Sequence, residues 1–134
     1  ALPIYDMRMK TASLVAMGAS SDEDWGELVI HELTSRHAAH RYEAARAAGE
    51  LVLTESVAKL ARLALEDEAQ IRNVAIWALG EIGGKEAIRV LEAMLESLDE
   101  DDDDALVDLL EEALDSASAS SGQIYGFSND FDLD

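Results

Sequence analysis

The chain has 134 residues, no cysteine and a formal charge of −19, from 29 acidic and 10 basic side chains. That length suits one domain with a real core, and the missing thiols exclude disulfides and thiolate metal sites. No apolar run approaches the roughly 18 residues that a membrane span needs, and nucleic-acid binding by a basic stripe is disfavoured.

Apolar residues make up 49% of the chain, with 5% aromatics and one proline, the composition of a helical protein. The N-terminal ALPIYDMRMK has no apolar signal core, and a cytoplasmic location is expected. The charge is uneven. Residues 96–134 hold 14 acids and no base, which leaves 15 acids and 10 bases, a net of −5, for residues 1–95. A chain so polarised points towards a basic partner rather than a nucleic acid.

In chain order, Pro3 stands where a helix can start, and MKTASLVAMGAS (9–20) reads as that helix and its glycine stop. SSDED (20–24) offers caps and carboxylates for a second helix over about 23–34, with Trp25, Leu28, Val29 and Leu33 on its apolar stripe. A second unit, about Ser35 to Asp67, is predicted to hold helices over 37–49 and 54–65, the latter turning Val57, Leu60, Leu63 and Ala64 inward. A third, about Glu68 to Leu98, holds helices over 69–81 and 85–97, with Ala87, Ile88, Leu91 and Leu95 inward. DEDDDDALVDLLEEALDSA (99–117) reads as a closing helix with a polar outer face. SASASSG (116–122) reads as a flexible linker, and QIYGFSNDFDLD (123–134) as an acidic, aromatic tail.

The units repeat. HRYEAARAAGEL (40–51) recurs as IRNVAIWALGEI (71–82), so that Arg41 pairs with Arg72, Ala44 with Ala75, Ala47 with Ala78 and Gly49 with Gly80, all 31 residues apart. The same spacing sets Leu106 under Ala75, Val107 under Ile76 and Leu110 under Leu79. Repetition at a fixed period means a stacked array, with terminal units modified to close it. The fold expected is all-α: an α-solenoid of about three and a half helix hairpins over residues 1–115, followed by linker and tail over 116–134.

Ile71-Arg72, Ala75-Ile76, Ala78-Leu79-Gly80 and Ile82-Gly83 resemble HEAT-like repeats of the short kind found in phycobilisome lyase subunits. The resemblance is tight over 66–98 and fair over 35–65, with His40 and Val52 departing from the pattern. It implies that small residues at Ala44, Ala47, Ala75 and Ala78 let helices approach closely. It also implies that Gly80 and Gly83-Gly84 serve the tight turn, that each first helix lies on the convex side, and that each second helix lines the concave side.

Two faces are candidates for binding. On the first helices, Tyr42, Arg46, Asn73 and Trp77 fall on outward positions and form one convex patch of residue types common at binding hot spots. Trp77 has a competing role, leaning over the adjacent unit to complete packing. On the second helices, Glu27, Ile30 and His31, then Ala58, Ala61 and Arg62, then Arg89, Glu92 and Ala93 should form a mixed concave surface suited to a peptide or helix.

No catalytic set emerges. His31-Glu32 echoes the His-Glu pairs of deoxyhypusine hydroxylase, a HEAT-like di-iron enzyme, but Arg62-Leu63 and Ala93-Met94 stand where further pairs would be needed. A solvent-facing His31 beside a surface Glu32 is expected. His37 and His40 lie three apart, with His40 half-buried in the stack. Asp99–Asp104 fails the calcium-loop pattern, since Asp104 and Leu110 stand where Gly and Glu are required. The reading is a non-catalytic protein-interaction module without metal or cofactor. Its rivals are an accessory subunit of a bilin lyase and a metal-dependent enzyme using His31, Glu32, His37 or His40.

Overall fold

The computed structural model of the protein describes residues 25–133, with side chains as far as residue 120. The helix expected near the N-terminus and the cap at 20–24 lie outside the described residues. Six helices follow: α1 (Gly26–Glu32), α2 (Ala38–Leu51), α3 (Val57–Glu66, entered through a 3₁₀ turn at Thr54–Ser56), α4 (Ala69–Ile82), α5 (Gly84–Glu96) and α6 (Asp104–Leu133). No strand occurs among the described residues.

The helices form two layers. The first helices α2, α4 and α6 stack side by side, while α1, α3 and α5 form the second layer. Helices α3 and α5 each pack more extensively on the first helix of the following unit than on their own hairpin partner: α3 lies against α4, and α5 against α6. This arrangement is an α-solenoid, and it interlocks the units so that no short helix must stand alone. It also explains the residue patterns. α3 and α5 are strongly amphipathic because they bury a single face, through Val57, Leu60, Leu63 and Ala64, or Ala87, Leu91 and Met94. α4 is enclosed by α2, α3, α5 and α6, and buries Ile71, Ala75, Ile76, Ala78, Leu79, Gly80 and Ile82 around most of its circumference.

Close approach depends on two glycines inside helices. A Cβ at Gly49 would stand 3.0 Å from the Cα of Ala78, and one at Gly80 would stand 3.0 Å from the Cα and carbonyl oxygen of Ala113. Gly80 therefore serves packing between units, not the turn. The turn belongs to Gly83, at φ 67 and ψ −163, a region essentially confined to glycine. The equivalent position after α2 is Val52, at φ 53 and ψ 55. There Val52 and Leu53 donate to the carbonyls of Gly49 and Ala48, a helix stop that usually carries glycine.

Those contacts correct the alignment of the last unit. α2 begins at Ala38 and α4 at Ala69, 31 residues later, but α6 begins at Asp104, after 35. Ala113 meets Gly80 as Ala78 meets Gly49, also a spacing of 35. Four extra residues thus lie in the acidic loop before α6, and Leu110, not Leu106, takes the place of Ala75. Four residues are about one helical turn, so the slip keeps the same face inward.

The linker expected over 116–122 is helical. Ala117 is fully buried, and its carbonyl oxygen lies 3.2 Å from where a Cβ of Gly83 would be. Ser, Ala and Gly suggest flexibility when read as composition, yet small side chains are what the crowded α5 end of α4 requires. The boundary drawn at 115/116 therefore falls inside one continuous helix.

Candidate interaction site

An ion pair latches the start of α2 to the junction between α3 and α4. Arg41, in the first turn of α2, donates from Nε and Nη2 to both oxygens of Asp67 at 2.7 and 3.1 Å, and from Nη1 to the Ser35 carbonyl at 2.9 Å. Asp67 also accepts from the Glu68 N–H at 2.8 Å, at the start of α4. The Arg41 guanidinium holds the Asp67 carboxyl below its ordinary value, with the Glu68 N–H adding to the effect. Arg72, one unit on, donates instead to its neighbour Asn73 at 3.1 Å.

A second polar group is buried between α1 and α2. His40 is fully buried, not half-buried, and Glu32 is nearly so at 3% exposure, not at the surface; His31 is exposed as expected. Glu32 Oε2 lies 3.9 Å from His40 Nδ1, with Ser35 Oγ 3.3 Å from the same nitrogen. The His37 ring meets that of His40 edge-on at 5.1 Å. Glu32 turns inward because it ends α1 on the side of Val29, where α2 covers it. The helical spacing with Val29 carried that signal, and the neighbouring His31 masked it.

The first-layer surface gathers the expected patch. Tyr42, Arg46 and Glu50 recur every four residues along α2, and Gln70, Asn73, Val74 and Trp77 form the facing ridge of α4. Between them lies an open groove of about 630 Å³. Arg46 is held in place by Glu43, at 2.8 Å, and by Glu50. The Trp77 ring lies over Gly49, where a Cβ would come within 2.6 Å of it, so packing and groove share one side chain. On its other flank Trp77 borders a smaller cleft of about 150 Å³ between α4 and α6, with Glu81, Leu109, Glu112, Ala113 and Ser116.

The second layer does not assemble a comparable site. Glu27 and His31 are exposed and Ile30 is partly buried, its carbonyl accepting from Lys59 Nζ at 3.4 Å. Arg62 pairs with Glu66 at 3.1 Å and borders a hollow with Lys59, Leu33 and the Arg41–Asp67 latch. Arg89 and Glu92 border a hollow lined by α5 alone. The six candidates there are thus spread over separate surfaces. Glu50, Gln70, Val74, Glu81 and Glu112 were not singled out from the sequence. The first four stand one helical turn from residues that were, whereas Glu112 depends on the four-residue slip.

Among the described residues, no three His, Asp or Glu side chains converge to hold a metal ion, and no helix is long and apolar enough to cross a membrane. No curated protein matches the chain. The family profile for HEAT repeats matches residues 26–115, spanning α1 to the middle of α6. With two layers of stacked helix pairs and a match over most of its length, the chain belongs to the HEAT-repeat family.

Proposed function

We propose that the protein is a non-catalytic interaction module that binds another protein through the first-layer groove. HEAT repeats generally mediate protein–protein contacts, and in the groove aromatic, amide and paired charged side chains from two units converge. That convergence of Tyr42, Arg46, Asn73 and Trp77 carries the reading. Tyr and Trp offer large contact area at small entropic cost, while the ion-paired Arg46 keeps its donors oriented.

Asn73 is exposed in the groove and Ala58 is exposed on the second layer, so each accepts a long side chain without disturbing the core. Affinity capture from an extract of the protein's own cell, with wild type, Asn73→Arg and Ala58→Arg, tests the proposal. Partners retained by wild type and Ala58→Arg but lost from Asn73→Arg are expected. Loss from Ala58→Arg alone would move the site to the second layer.

A further inference from the structure

We infer that the face around Trp77 receives a basic segment of a partner protein, with one Lys or Arg side chain seated in the cleft between α4 and α6. This rests on the interaction reading above and adds the partner's chemistry. The cleft is lined by the apolar Leu109 and Ala113, by Trp77 and Ser116, and by two acids, Glu81 from α4 and Glu112 from α6. Neither glutamate forms an ion pair among the described residues, whereas Arg46 in the adjoining groove is already held by Glu43 and Glu50. The unit's own cation is therefore neutralised on one flank of Trp77, and acid is left uncompensated on the other.

A long basic side chain suits that arrangement at each end. Its methylenes lie on Leu109 and the Trp77 ring, and its head reaches the two carboxylates. About 150 Å³, the space of about five water molecules at ~30 Å³ each, is room for one long side chain. An acidic side chain would be repelled, and a purely apolar one would desolvate Glu81 and Glu112 with nothing in return. At longer range the 14 acids of residues 96–134, with no base among them, attract a basic segment to this end of the array. A second copy of the chain, itself at −19, is disfavoured by the same field.

The chain has two tryptophans, so Trp25→Phe leaves Trp77 as the only indole reporter. The probes are a short amphipathic peptide of Leu, Ala and Arg, and its counterparts with Gln or Glu in place of Arg. Titrations run at about 0.15 M salt, where the Debye length is about 8 Å and diffuse attraction is screened. The Arg peptide is expected to shift Trp77 emission saturably. Glu81→Gln with Glu112→Gln should weaken it at least about tenfold, the scale of a lost charge-assisted hydrogen bond. Glu100→Gln with Asp101→Asn, in the exposed loop, should change it less than about twofold.

Equal losses in the cleft and loop variants would overturn the inference, since the attraction would then be diffuse. So would a Gln or Glu peptide binding as well as the Arg peptide, or no peptide moving the signal. In those cases the Asn73→Arg capture still decides the interaction reading separately. A concentration-dependent dimer abolished by Glu81→Gln with Glu112→Gln would assign the cleft to a second copy and overturn the inference as well.

Discussion

Three single residues show how closely the array is fitted. At Gly80 any Cβ presses on the Ala113 backbone, which cannot swing aside as a side-chain end could. Gly80→Val should therefore lose more than about 2 kcal/mol, at the high end of single substitutions; an unchanged denaturant midpoint would contradict the packing described. Val52 presents the opposite case: a β-branched residue held at φ 53 and half exposed. Left-handed backbone costs a non-glycine residue about 1–2 kcal/mol, partly offset by the entropy glycine brings to the unfolded chain. Val52→Gly should accordingly raise stability by roughly 1 kcal/mol in chemical denaturation.

Asp67 adds a pH signature at the same scale. Its folded pKa lies below the ordinary 3.8, so the stabilisation is complete above that value and lost as pH falls through the lower folded one. Both partners keep a solvent edge, so Asp67→Asn should cost only about 1 kcal/mol at neutral pH. The gap between variant and wild type should close as the pH drops below 3.8, and a gap that instead widened would contradict the latch.

Among the elements, α6 is the most exposed to chance. It packs on α4 and α5 through Leu110, Ala113 and Ala117, no further helix among the described residues covers its outer face, and the acidic loop repels itself at its start. Asp103 partly compensates by capping the helix, accepting the Ala105 N–H at 2.9 Å. Residues 105–115 should exchange amide hydrogens faster than 71–82 at low salt. The difference should narrow as the Debye length falls from ~30 Å at 0.01 M to ~8 Å at 0.15 M. Equal, salt-independent protection would make α6 a full member of the core.

The helices were legible at this scale because small and apolar residues recur with the period of both the helix and the repeat. Helices α2 to α5 begin and end within a few residues of the sequence reading. The register of α6 was not legible: apolar residues at 106, 109, 110, 113, 114 and 117 satisfy a helix in either alignment, and only the meeting of Ala113 with Gly80 distinguishes them. The helical state of 116–120 was hidden for a related reason, since Ser and Ala read alike in a linker and in a tightly packed helix.

For the whole molecule, the first-layer patch was legible because Tyr42, Arg46, Asn73 and Trp77 share the outward positions of two adjacent, regularly spaced units. The second-layer candidates shared helical positions too, but the layer gathers no common groove from Glu27, Ile30, His31, Arg62, Arg89 and Glu92. The spacing of Glu32 from Val29 hinted at its burial, but its meeting with His40 was missed because the two join separate elements across a loop, and no periodicity links them.

The recognition proposed above lies on one layer of the array, where Trp77 stands between a groove with an ion-paired arginine and an acidic cleft. A photoreactive residue introduced in turn at exposed positions of each layer, followed by irradiation in an extract of the protein's own cell, tests that placement most directly. Adducts of the same masses are expected from Tyr42, Asn73 and Glu81, and none from Ala58, Arg62 or Glu92. Adducts formed mainly from Ala58, Arg62 and Glu92 would put the partner on the second layer and contradict the account.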